Sequence, residues 1–286
     1  MTVTVARHGT PGPDDQRLVA DADTEASAFI ASLEKSPGLI GRAFDLAVRH
    51  AQARCLVDPN ADLIETWRAV VTAMQTGSAL FAMTSASEDS VVRRIGDKVH
   101  TLPVTGPQAS ANVGNWLTAF YLAAVCREQQ RITALCEIPV DALRSASAGA
   151  DEFLFLWVDV LQAFWLGREG LAEKLSATIA ASFPEVVRNT PQVELQLMLY
   201  PPINLLHALL FKGPESFNEA LAEALELHRI YWTSDVERLH DVAGSLALAP
   251  LALACFAYDT EVPVEVESDY MPGAFLDRSW LLEFQT

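Results

Sequence analysis

Apolar residues recur at helical spacing from Asp23 almost without interruption to Tyr258, and this periodicity limits the chain to a mainly α fold. Ser36-Pro37 reads as an N-cap with a first-turn proline, ahead of Ile40, Phe44, Ala47 and Ala51 on one helical face. Asn60 reads as the cap of the next helix, whose face carries Trp67, Val70, Val71, Met74 and Phe81, and the two are expected to form an antiparallel pair. Residues 90–102 break the period. There β-branched residues flank Gly96-Asp97, which predicts a short β-hairpin. Gly106-Pro107 then marks a loop, and two helical subdomains are expected to meet near residue 105.

The second half repeats a helix-turn-helix rhythm. An aromatic run from Phe153 to Trp165 reads as core, Thr190-Pro191 opens a helix that Pro201-Pro202 ends or kinks, and Pro214 opens the clearest amphipath. In that amphipath Phe217, Leu221, Ala224, Leu225 and His228 form one stripe, with Glu215, Glu219, Glu223 and Glu226 mostly away from it. After Tyr258, Val262, Val264 and Val266 alternate with polar residues or proline, the period of an edge strand, which is expected to join the hairpin in one small sheet. The fold class is therefore mainly α, a multi-helix array of antiparallel helical hairpins with a small β-hairpin and edge-strand element. Residues 1–22, rich in Pro, Gly and Asp, are expected to be a flexible lead-in to a single helical domain over 23–286.

Charge narrows the partners. The chain has 37 acids against 20 bases and a net charge of -17, which disfavours nucleic acid and anionic membranes and favours a basic partner. Two uncharged stretches, Leu195 to Phe211 and Val242 to Tyr258, are shorter than a membrane span and broken by Pro201-Pro202 in one and by Gly244 and Pro250 in the other, so both read as core helices. No secretory signal is visible in Met1 to Asp15, and Cys55, Cys126, Cys136 and Cys255 read as buried reduced thiols, which together predict a cytoplasmic protein. Homodimerisation stays open.

Signatures of chemistry are scarce. Phosphate-binding loops, H-E-x-x-H and G-x-S-x-G are all absent, so no catalytic residue, cofactor or metal is expected. The best fragment of a metal motif is Glu237-x-x-His240, one half of a di-iron arrangement, and a helical carboxylate and histidine metalloenzyme is kept as a minor alternative on that pair. His207 and His228 read as core or boundary imidazoles held by one hydrogen bond. A helical-hairpin scaffold for protein-protein interaction is a further alternative. Between Asp259 and Asp269 stand five acids and no base.

Several segments resemble the Immunity protein 49 family of bacterial polymorphic toxin systems. They are Thr66-Trp67 with Gln75-Thr76-Gly77-Ser78-Ala79-Leu80-Phe81, then Gly114-Asn115-Trp116-Leu117-Thr118-Ala119-Phe120, then Tyr200-Pro201-Pro202-Ile203-Asn204. Phe217-Asn218-Glu219-Ala220-Leu221 through His228, Tyr231-Trp232, and the tail Val264-Glu265-Val266-Glu267-Ser268-Asp269-Tyr270-Met271-Pro272 complete the set. The resemblance implies a helical cytoplasmic protein that binds and neutralises a cognate toxin without catalysis, and it supplies no contact residues. Electrostatics then nominates Asp259, Glu261, Glu265, Glu267 and Asp269 as an acidic docking face for a toxin with a basic surface, with Tyr270 as an aromatic anchor.

Overall fold

In the computed structural model, which describes residues 2–281, the chain is mainly α with two small sheets. Strand β1 (Val3–Thr4) precedes helix α1 (Asp15–Ser32), a 3-10 turn at Pro37–Leu39, and helices α2 (Ile40–Val57) and α3 (Ile64–Ser85). The hairpin β2 (Ser90–Ile95) and β3 (Lys98–Pro103) follows, then α4 (Val113–Val125), α5 (Gln129–Cys136), α6 (Val140–Ala146), α7 (Glu152–Leu166) and α8 (Leu171–Ala181). One long helix comes next, formed by α9 (Gln192–Glu194), a π-helical turn at Leu195–Leu199 and α10 (Tyr200–Phe211). The chain continues through α11 (Pro214–Trp232), α12 (Val236–Leu239), a 3-10 turn at Val242–Ser245, α13 (Leu248–Asp259), β4 (Val266–Glu267) and α14 (Gly273–Leu276).

Helices α1, α2 and α3 pack consecutively, and close approach fixes the second contact. A Cβ on Gly77 would lie 2.7 Å from the Phe44 ring, so only glycine lets α3 come this near α2. The hairpin forms where the sequence places it, with Gly96 at φ +60 in its turn. Gln75, fully buried on α3, accepts the Gly96 N–H at 2.7 Å and ties the turn to the helix. The aromatic run is core: Phe153, Phe155 and Trp157 are buried, and the Trp157 indole N–H donates to the Tyr121 hydroxyl at 2.8 Å. All four cysteines are free and buried, and burial raises each thiol pKa, to about 12 for Cys55, Cys136 and Cys255. Val242–Asp259, the one stretch among the described residues with the length and hydropathy of a membrane span, is mostly buried inside the fold.

Several local expectations are corrected. Ser36 makes no capping hydrogen bond, and Asn60 does not cap α3. The Asp58 carboxylate instead braces the turn leading into α3, accepting the N–H groups of Asp62 and Leu63, both at 3.0 Å, and the Thr66 hydroxyl at 2.6 Å. Asn60 instead accepts the Gly273 N–H at 3.2 Å, binding the C-terminal tail. Pro201-Pro202 neither ends nor breaks its helix: the chain widens into a π-turn before the two prolines and resumes α-helix through them. The core runs without a break across residue 105, because side chains of α3 and α4 belong to the same apolar cluster as those of α7, α10 and α13.

The opening segment differs most from expectation. Residues 15–22 are already helix α1, and the residues before them are docked. Val3–Thr4 pair in parallel with Val266–Glu267, so the late edge strand joins the N-terminus and not the hairpin. Val5 is buried, and the Arg7 guanidinium donates to the carbonyls of Cys55 at 2.9 Å and Leu56 at 3.0 Å, at the C-terminal end of α2. An unpaired helix C-terminus, rich in carbonyl oxygens, is a natural seat for a cation, and this one recruits it from outside its own helix.

Candidate functional site

Both ends of the segment 259–270 are held by contacts within the protein. Asp259, at the end of α13, pairs with Arg127 at 3.3 Å and with Arg278 at 2.5 Å. Arg127 is a clamp: it also donates to the carbonyls of Val125, Phe275 and Leu276 and to the Cys255 sulfur, and it holds a backbone φ of +55 to do so. Asp259 is therefore the counter-charge of a structural arginine, and it stays on the surface.

Tyr270 is corrected more sharply. Its ring is 0 % exposed, so it is no surface anchor. Its hydroxyl accepts the His8 backbone N–H at 2.9 Å and lies 2.5 Å from His8 Nδ1. Because the oxygen already accepts one hydrogen bond, the phenol O–H donates to Nδ1, which accepts as part of a neutral His8 ring with its proton on Nε2. Burial lowers the His8 pKa, and the cations Arg7 and Arg229 lower it further. On the other side His228 meets the Tyr270 ring edge-on at 4.8 Å and shares a 3.0 Å hydrogen bond from Nε2 with the Gly244 carbonyl. Burial depresses the His228 pKa to about 4, so this imidazole is neutral and donates, as expected for a core histidine.

Between these ends, Glu261, Glu265, Glu267 and Asp269 are exposed. Asp269 supplies the main opposing charge for the desolvated Arg7. Glu265 faces two acids that the linear sequence does not single out. Asn218 on α11 brings them together: its Oδ1 accepts the Glu265 N–H at 2.6 Å while its Nδ2 donates to the Pro263 carbonyl at 2.8 Å. That bracket fixes the tail along the polar side of α11 and leaves a groove of about 630 Å³ lined by Glu215, Glu219 and Glu265, with Val3 and Pro263 on its walls and no lysine or arginine among its described lining residues. The signal for this site was present in the sequence as the spacing of Glu215 and Glu219, one turn apart on the polar face of an amphipath, but nothing local pairs that face with residue 265.

Glu237 and His240 do not converge on anything. Both are exposed at the one-turn helix α12, and among the described residues no three His, Cys, Asp or Glu side chains come together as a metal site.

Residues 58–275 match the family model for Immunity protein 49. The chain belongs to the Immunity protein 49 family. No curated protein and no solved structure matches it. The family match begins at Asp58, the residue that braces the turn into α3, and ends at Phe275, whose carbonyl Arg127 holds. Helices α1 and α2 and the docked strap over residues 3–8 lie outside the match, yet the strap completes the surroundings of Tyr270 within it.

Proposed function

We propose that this protein is a cytoplasmic immunity protein that binds a cognate polymorphic toxin and neutralises it stoichiometrically, by covering its working surface, with no turnover. The family match over residues 58–275 carries this reading. The acidic groove between α11 and the tail supports the mechanism. A toxin that acts on phosphate-bearing substrates needs a basic surface, and an inhibitor of net charge -17 is drawn to that surface over long range. Glu215, Glu219 and Glu265, with Glu261 and Glu267 beside them in the tail, are the acids we assign to it.

The test is co-expression of this chain with each gene product encoded beside it, scored by growth rescue and by recovery of a one-to-one complex at low and high salt. Rescue by the wild-type chain is the expected result; rescue of no toxic neighbour would defeat the reading. The triple variant Glu215→Gln, Glu219→Gln, Glu265→Gln should slow association about tenfold at low salt and flatten its salt dependence. Unchanged rates would remove the groove from the mechanism.

A further inference from the structure

Helix 192–211 passes between two adjoining cavities, and its irregular turn forms part of the wall of both. The larger, about 490 Å³, opens between α4, α7 and the loop at 189–191; the smaller, about 250 Å³, reaches under α11. They share Thr118, Tyr121, Met198, Leu199, Pro202 and Ala249, so they form one cleft with the π-turn running through it. Four of the family-like segments meet here, through Leu117 and Thr118, Pro201 and Pro202, His228, and Trp232. Met198, Leu199 and Ala249 are only half-buried, so the apolar wall is accessible.

The cleft carries unmet hydrogen-bonding capacity. A donor for the Leu197 carbonyl would come from residue 201 in an α-turn or residue 202 in a π-turn, and both are prolines without an N–H. Its own helix therefore gives that carbonyl nothing. Trp232, on the opposite wall of the smaller cavity, has a buried indole N–H with no acceptor. One acceptor and one donor left over in a mostly apolar cleft match what a peptide segment brings. Charge selects the kind of segment: among the described residues lining the two cavities Glu194 is the one carrying a formal charge at neutral pH, with no lysine or arginine, since His228 is held neutral.

We propose that this cleft is a second toxin-docking element, which seats an apolar side chain carried on a cationic segment of the toxin. The acids give long-range attraction and the cleft gives the short-range anchor, the usual division between association rate and lifetime at interfaces. This inference rests on the toxin-binding reading above and extends it.

The experiment uses the full chain and the toxic neighbour that it rescues. Met198→Gln and Ala249→Gln place an uncharged polar head on the apolar wall, and each should weaken the complex about tenfold, through faster dissociation, while the melting temperature holds. Backbone hydrogen exchange on the wild-type complex gives a readout that needs no variant: residues 114–121 and 195–203 should slow on binding. Protection confined to other segments, or folded variants that bind as tightly as the wild type, would overturn the cleft while leaving the immunity reading intact. Failure of the wild-type chain to rescue any neighbour would instead overturn the reading on which the cleft depends.

Discussion

The surroundings of Tyr270 and the groove beside Asn218 are built from one stretch of tail, and they use polarity in opposite ways. At Tyr270 the polar atoms are spent inside the protein: the phenol on His8, His228 on Gly244, Arg7 on the carbonyls of α2. At the groove the Asn218 amide holds the tail backbone, and three carboxylates line an opening with no lysine or arginine among its described lining residues. Within the same acidic cluster, Asp259 is held by Arg127 and Arg278. Charge in a linear acidic cluster is therefore a poor guide to function until its internal partners are known. The acids available to a partner are those that the fold leaves facing outward.

This contrast is broken most forcefully at the clamp. Arg127→Ala strands three carbonyls and removes one of the two partners of Asp259, and a loss of about 3 kcal/mol is expected in urea unfolding. A loss under about 1 kcal/mol would mean that Asp259 is freer than the geometry indicates. Acid comes next. The folded His228 pKa of about 4 lies below the ordinary 6.5, so folding disfavours its proton. Its contribution is intact above about pH 6.5 and is lost as the pH falls towards about 4, to a limit of about 3 kcal/mol. His228→Gln, whose amide can still donate to Gly244, should remove that part of the acid slope, as read from urea midpoints at pH 7 and pH 4.5.

Tyr270→Phe is smaller, about 1 to 2 kcal/mol, since it leaves the His8 N–H without its acceptor. It sharpens the comparison because stability should fall while the toxin association rate stays at the wild-type value; a slower association would return Tyr270 to the docking face. The triple groove variant lies at the other extreme, with stability within about 0.5 kcal/mol of wild type and its whole effect on association.

Much of the fold was legible. Periods of 3.6 and 2 are local properties, so α2, α3, α7, α11 and the hairpin stand close to where Phe44, Trp67, Trp157, Phe217 and Gly96 place them. The buried cysteines and the neutral His228 follow from apolar neighbours on the same helix. Caps were harder. Ser36, Asn60 and Asp58 all belong to the residue types that cap helices, and only the path of the chain decides that neither Ser36 nor Asn60 caps its helix while Asp58 holds the turn leading into α3.

The sequence by itself determined the helical class, the strong negative charge, the glycine that lets α2 and α3 approach, and the prolines that deny Leu197 a donor, because each is fixed by a residue type or by spacing within one or two turns. Only the tertiary structure decided that the opening residues are docked, that Val3 pairs with Val266, that Tyr270 is buried against His8 across 262 positions, and that Asn218 places Glu265 beside Glu215 and Glu219. Those contacts join segments whose local patterns are compatible with many partners. The choice among partners is made by which surfaces can be buried together with their polar groups satisfied, and that is a property of the whole chain.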